Sequence, residues 1–243
     1  MKHAVQLSTA SRLTALGALG ALALSLAACG GGGSDSGSGN TSSYNIRAPW
    51  LSLTTGTVQR TLTTTFQGQT FTLGIRYAPG AGTSYPPSTV LAREQRETLT
   101  LIGPNVQQTG INRVYFNAST GDVLGQVDDS GDVSVCSSVT TIGTPPEYAA
   151  VGNSGLVASG SILASCTAGA AATGSFSIRW SLETMAGGGV GWCLTSSSTL
   201  PDEATTDKRC FQIATNGALG PAATVDVSTT SAGQTTTLNF TTP

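Results

Sequence analysis

The chain reads as an all-β protein, an antiparallel sandwich or barrel-like closure of one or two subdomains held by disulfides, and three observations carry that reading. Charged residues make up only 10% of the sequence, while threonine, serine and glycine abound. That balance suits strands and turns rather than surface helices rich in Glu and Lys. Short runs of alternating apolar and polar residues recur along the chain, separated by Gly, Pro, Asn and Asp. Downstream of residue 30 the cysteines are Cys136, Cys166, Cys193 and Cys210, an even set, as a disulfide framework requires. With 39% hydrophobic residues the alternation has a core to build, which argues against disorder.

Residues 60–66 carry a weak period of two, and Phe71, Leu73, Ile75 and Tyr77 a strong one; with Gln67-Gly68-Gln69 between them they predict a hairpin. Residues 77–87, rich in Gly and Pro, predict a loop. The one candidate helix is 88–97, with Pro86-Pro87 as its start and Arg93 four residues before Glu97. Strand character resumes at 98–101. Residues 112–138 predict a meander broken at Ser119-Thr120-Gly121 and Asp128-Asp129-Ser130-Gly131, residue types that tight turns use. The stretch 143–155, with Pro145-Pro146, is the boundary if there are two subdomains. Phe176, Ile178, Trp180 and Leu182 alternate with Ser177, Arg179 and Ser181 in the clearest strand of the chain, and Gly187-Gly188-Gly189 turns it into a strand at 190–194. A long polar loop then leads to strands at 211–213, 225–227 and 237–240. Short strands at this spacing point to a sandwich or barrel.

Upstream, the chain changes character. Lys2 and Arg12 place positive charge before an uncharged run of Leu, Ala, Gly, Ser and Thr at 13–28. This is the layout of a secretory signal peptide, and the run is shorter than the roughly 20 residues that span a bilayer. It ends in Leu26-Ala27-Ala28-Cys29, followed directly by Gly30-Gly31-Gly32-Gly33. The stretch resembles the lipobox of bacterial lipoproteins. The resemblance extends no further than the leader and Cys29, and it implies cleavage before Cys29, a diacylglyceryl group on its thiol and usually a third acyl chain on its amine. Two or three chains, at about 0.8 kcal/mol per buried CH₂, hold a protein stably. Gly30 stands where an Asp would retain an enteric lipoprotein at the inner membrane, so the resemblance implies the outer membrane, facing the periplasm or the cell surface. The expected organisation is a signal peptide at 1–28, the lipidated Cys29 with a Gly/Ser tether at 29–43, and a β-rich domain at 44–243. The tether carries one charge, Asp35, and as a coil reaches roughly 20 Å.

Composition also limits the chemistry. His3 is the only histidine and leaves with the leader, which removes Ser-His-Asp and Cys-His catalysis and His-ligated metals from the mature chain. Lys208, between Asp207 and Arg209, reads as a solvated charge in a loop rather than a depressed-pKa amine. Gly187 to Gly189 lacks the following Lys-Ser/Thr or helix of a phosphate cradle. After Cys29 nine scattered basic residues face thirteen acidic ones, no footprint for nucleic acid. For the cysteines, Cys136 with Cys166 and Cys193 with Cys210 is the favoured pairing of the three conceivable ones. Each bridge closes a Gly/Ser/Thr-rich segment and stabilises by about 3 kcal/mol. A zinc site lacks any Cys-x-x-Cys pair, and no cofactor is implied.

Carboxylates are the remaining catalytic candidates: Glu94, Glu97, Glu147 and Glu183 offer the acid and base that glycan cleavage needs. Asp122, Asp128, Asp129 and Asp132 form the densest acidic cluster, with oxygen ligands for calcium, though the same residues are ordinary turn chemistry. Trp180 falls on the apolar face of its strand and belongs to the core; Trp192, beside Cys193, is expected to pack on a disulfide, and Trp50 lies near the tether. The expected function is that of an envelope lipoprotein anchored in the membrane by lipid, with a non-enzymatic β-rich structural or binding domain and an envelope protein or glycan as partner. The alternative is a glycan-binding or glycan-cleaving protein using Trp and carboxylate residues. An aromatic at the foot of a groove flanked by two carboxylates would mark it.

Overall fold

The computed structural model of the chain describes residues 42–129 and 134–243. The leader, Cys29, most of the tether and Asp132 lie outside the described residues. The elements are β1 (Tyr44–Asn45), α1 (Arg47–Thr55), β2 (Val58–Phe66), β3 (Gln69–Pro79), β4 (Ala92–Gly103), β5 (Val106–Asn117), β6 (Val123–Asp128), β7 (Val135–Ile142), β8 (Tyr148–Ala149), β9 (Ser154–Leu163), β10 (Ala172–Thr184), β11 (Val190–Leu200), β12 (Glu203–Ile213), β13 (Leu219–Ser231) and β14 (Gln234–Thr241). Twelve of the strands close into one antiparallel barrel in the order β10-β11-β12-β13-β14-β2-β3-β4-β5-β6-β7-β9, while β1 and β8 form a separate two-stranded sheet. Strands on both sides of 143–155 belong to this one barrel, because β7 and β9, which flank that stretch, pair with each other.

Alternation decides which side chains fill the barrel. On β13, Ala223, Val225, Val227 and Thr229 are buried while Thr224, Asp226, Ser228 and Thr230 between them are not. Phe71, Leu73 and Ile75 on β3, Trp180 and Leu182 on β10, and Phe240 on β14 join the same core. Along these strands the wall is apolar inside and polar outside, a period-two pattern of the kind that half-buried strands carry. A membrane-spanning barrel turns its apolar face outward instead.

The two ends differ. One, the turn end, carries tight hairpins at 67–68, 104–105, 201–202 and 232–233. The other, the loop end, carries the connections 80–91, 143–153, 185–189 and 214–218 together with β1, β8 and α1. Helix α1 closes the loop end's mouth. Asn45, one residue before the N-cap Ile46, accepts the Ala48 amide on Oδ1 at 2.9 Å, and Pro49 sits in the helix's first turn, where a missing N–H costs nothing. Its Trp50 meets Phe116 and Trp192 edge-on, with centroids 5.9 and 6.4 Å apart, and Leu53 is buried. Gly217 admits this segment: its φ of +82° needs no side chain, and a Cβ there would come within 2.4 Å of the Asn45 carbonyl.

Three sequence expectations are corrected. Residues 88–97 are not a helix: Pro86-Pro87 lie in a turn in which the Tyr85 carbonyl accepts the Ser88 and Thr89 amides, and extended β4 begins at Ala92. Pairing with β3 on one edge and β5 on the other outweighs the local helical signal, and Arg93 stacks on Phe116 at 5.8 Å rather than on Glu97. The polar stretch after Leu194 is no loop but the hairpin of β11 and β12, paired from Val190–Ile213 to Leu200–Glu203. Trp192 does not pack on the adjacent disulfide: alternation sends it into the core with Leu182 and Phe211, and Cys193 to the other side of the wall.

The barrel's last seam is thin. β14 and β2 share a single pair, Thr241 with Thr63. Arg60 of β2 reaches toward β13 there, donating to the Gly220 carbonyl at 2.6 Å.

Candidate functional site

Polar side chains gather in two places on the barrel, one inside and one out. Inside, Asp207 and Arg209 of β12 project with Phe211, two residues apart along the strand, toward Tyr77 of β3 and Glu97 of β4. The Arg209 guanidinium pairs with the Glu97 carboxylate, holds Asp207 through Nε at 2.9 Å and Nη2 at 2.5 Å, and donates to the Tyr77 hydroxyl at 2.8 Å. Asn112 extends the network, donating to Glu97 at 3.5 Å and Gln126 at 3.3 Å. Two carboxylates here share one guanidinium. Burial, reinforced by the negative charge of Asp226 across the wall, pushes the Asp207 carboxyl up to about 7. Burial likewise raises the Tyr77 hydroxyl.

Outside, loop 80–91 folds over the wall formed by β4 to β7. Tyr85 of this loop packs with Ala92, Tyr115, Val127 and Cys136 as a second small core. Glu94, 3% exposed, accepts the Gly82 amide at 3.0 Å and the Tyr115 hydroxyl at 3.4 Å. Tyr85 bonds the Ser137 carbonyl, and burial, with Tyr115 beside it, pushes its hydroxyl up to about 12. Arg113 donates to the Tyr115 hydroxyl at 3.2 Å and pairs with Asp129 at 2.6 Å. Burial would raise Asp129, but Arg113 and Ser134 outweigh it and hold the carboxyl below its usual range. This constellation pins the loop to the barrel.

The four glutamates are accordingly dispersed. Glu94 and Glu97 occupy opposite faces of β4, Glu183 pairs with Lys208 at 2.6 Å on the outer wall, and Glu147 is exposed in the 143–153 loop. Each of the first three is engaged by other groups, and the acid and base of a cleavage site do not converge among the described residues. Lys208 is a strand residue in an ion pair rather than a loop residue. The acidic cluster disperses too: Asp129 is taken by Arg113, Asp122 accepts the Thr120 hydroxyl at 2.6 Å in its turn, Asp128 ends β6, and Asp132 lies outside the described residues.

The cysteines pair Cys136 with Cys166 and Cys193 with Cys210. The second pair bridges directly opposed residues of β11 and β12. Glu183, Cys193 and Cys210 are close enough to resemble a metal cluster, but sulfurs bonded to each other carry no thiolate for a cation. Of the tryptophans, Trp180 and Trp192 are core and Trp50 caps it. An open depression of about 650 Å³ at the loop end is lined by Gly143, Thr144, Pro146, residues 152–156 and one edge of Trp180. Gly155 leaves the indole room, since a Cβ there would approach its nitrogen to 2.7 Å. An aromatic edge is present in this groove, while carboxylates are absent from its lining.

Sequence reasoning named Glu97 and passed over its partners Arg209, Asp207 and Tyr77. The signal was there in the spacing of Asp207, Arg209 and Phe211, which alternate against Lys208 and Cys210 as strand residues do. The chain matches no protein-family model, no curated protein and no solved structure.

Proposed function

We propose that the protein is an envelope lipoprotein held in the outer membrane through Cys29, whose barrel is a non-enzymatic structural or binding domain. The observation that carries this reading is Cys29 itself, placed after Leu26-Ala27-Ala28 and before a Gly/Ser tract. The barrel's chemistry supports the non-enzymatic part: its buried carboxylates are neutralised by Arg209 or committed to holding loop 80–91, and Lys208 is paired. The polar outer wall suits a domain that stands in aqueous surroundings on a tether rather than one embedded in lipid. Mass spectrometry on the protein recovered from membranes of expressing cells tests the anchor. The expected N-terminal peptide begins at Cys29 with the mass of a diacylglyceryl group added; an uncleaved, unmodified leader overturns the reading.

A further inference from the structure

Large apolar side chains are exposed unevenly on this barrel. Of the seven among the described residues, Leu51, Val90, Leu91, Ile142, Tyr148 and Val151 belong to the loop end, and Ile102 alone to the turn end. Single exposed hydrophobics are ordinary on a soluble surface. Six gathered at one end are not, and an apolar concentration of this kind marks a contact surface. They come from α1, the 80–91 loop, the end of β7 and the 143–153 loop, so separate segments build the surface.

The position of the chain's N-terminal entry identifies what covers it. The first described strand pairs Tyr44 with Ala149 and Asn45 with Tyr148, which puts the chain's arrival beside the exposed Tyr148, 54% accessible. Fourteen residues separate Cys29 from Tyr44; fully extended they span at most about 50 Å, and as a coil roughly 20 Å. A lipid on Cys29 would therefore bring the bilayer to the loop end first. Tyrosine, with an apolar ring and a polar tip, favours the membrane–water boundary. Arg47, Arg93, Asp122 and Glu147 give that end charges of both signs rather than a polybasic patch. Resting on the lipid-anchor reading, we infer that the loop end is a membrane-facing surface, with Tyr148, Val151 and Ile142 seated among lipid headgroups and the turn end directed away.

Full-length lipidated protein, reconstituted in phosphatidylcholine vesicles whose acyl chains carry bromine, tests this by tryptophan quenching. Each variant is read against the wild-type chain in the same vesicles. Tyr148→Trp and, as a second probe, Val151→Trp should each lose most of their added emission in brominated vesicles, while Ile102→Trp at the turn end should lose none. Unquenched probes at 148 and 151 in protein that sediments with the vesicles overturn the inference and leave the anchor standing, the end then serving a second copy or a protein partner. Protein that fails to sediment, with Cys29 free of lipid, overturns both.

Discussion

Lys208 and Arg209 are neighbours on one strand, yet they carry their charges to opposite sides of the same wall. Lys208 meets Glu183 on the outside, where both side chains keep about a third of their surface in water, at 31% and 40% exposure. Arg209 meets Glu97 on the inside, at 15% and 7%. Water screens the outer pair, which gives it little weight in stability. The inner charges have lost their hydration and depend on one another, so the pair is hard to break without being a strong source of stability in itself. The carboxyls register the difference. On Glu183 the pull of burial is outweighed by Lys208 and Ser181, which hold it below its usual range, whereas burial drives Asp207 up to about 7.

Substitutions at these positions sharpen the contrast. Arg209→Leu removes the guanidinium that Glu97 and Asp207 share and leaves their buried carboxyl groups without it. The expected cost is about 3–5 kcal/mol, read as a lower midpoint in urea denaturation. Asp207→Asn acts on pH dependence. The folded state keeps the Asp207 proton up to about pH 7, while the unfolded chain releases it near pH 4. Stability conferred by that proton is complete below about pH 4 and is lost as pH rises toward 7, a fall of roughly 4 kcal/mol at most. Urea midpoints between pH 4.5 and 8 should decline for the wild type, and the Asn variant should be flatter and the more stable of the two at the alkaline limit. Asp129 and Glu183, with lowered values, act oppositely, their stability present above about pH 4 and lost below it. Lys208→Met is the smallest effect, under about 1 kcal/mol; a loss as large as that of Arg209→Leu would erase the distinction between the two sides of the wall.

The parts of this architecture legible beforehand were those in which local pattern and tertiary burial agree. Phe71 to Tyr77 and Phe176 to Leu182 alternate because one face is core, and they form β3 and β10. The Gly187 to Gly189 turn joins β10 to β11. Where the barrel interior is itself polar, alternation loses its contrast. Thr205, Asp207 and Thr229 are buried or nearly so yet read as surface, so the β11–β12 hairpin resembles a polar loop in the sequence. Helix α1 offered a Pro in its first turn and threonines at its end, weak helix formers, and its place is set by Trp50 finding Trp192 and Phe116. Arg209 and Glu97 meet only because the closed topology folds β12 against β4, and no spacing along the chain announces such an encounter.

The thin seam between β14 and β2 carries a mechanical consequence. Eleven of the twelve contacts around the cylinder are ladders of several rungs, and the twelfth is one rung, Thr241 against Thr63, helped by the Arg60 side chain. Local opening follows the route of fewest backbone bonds. The cylinder is therefore a sheet rolled up and fastened at a single point, and opening at that seam frees the edges of β14 and β2 while each stays joined to its other neighbour by a ladder of eight or nine rungs.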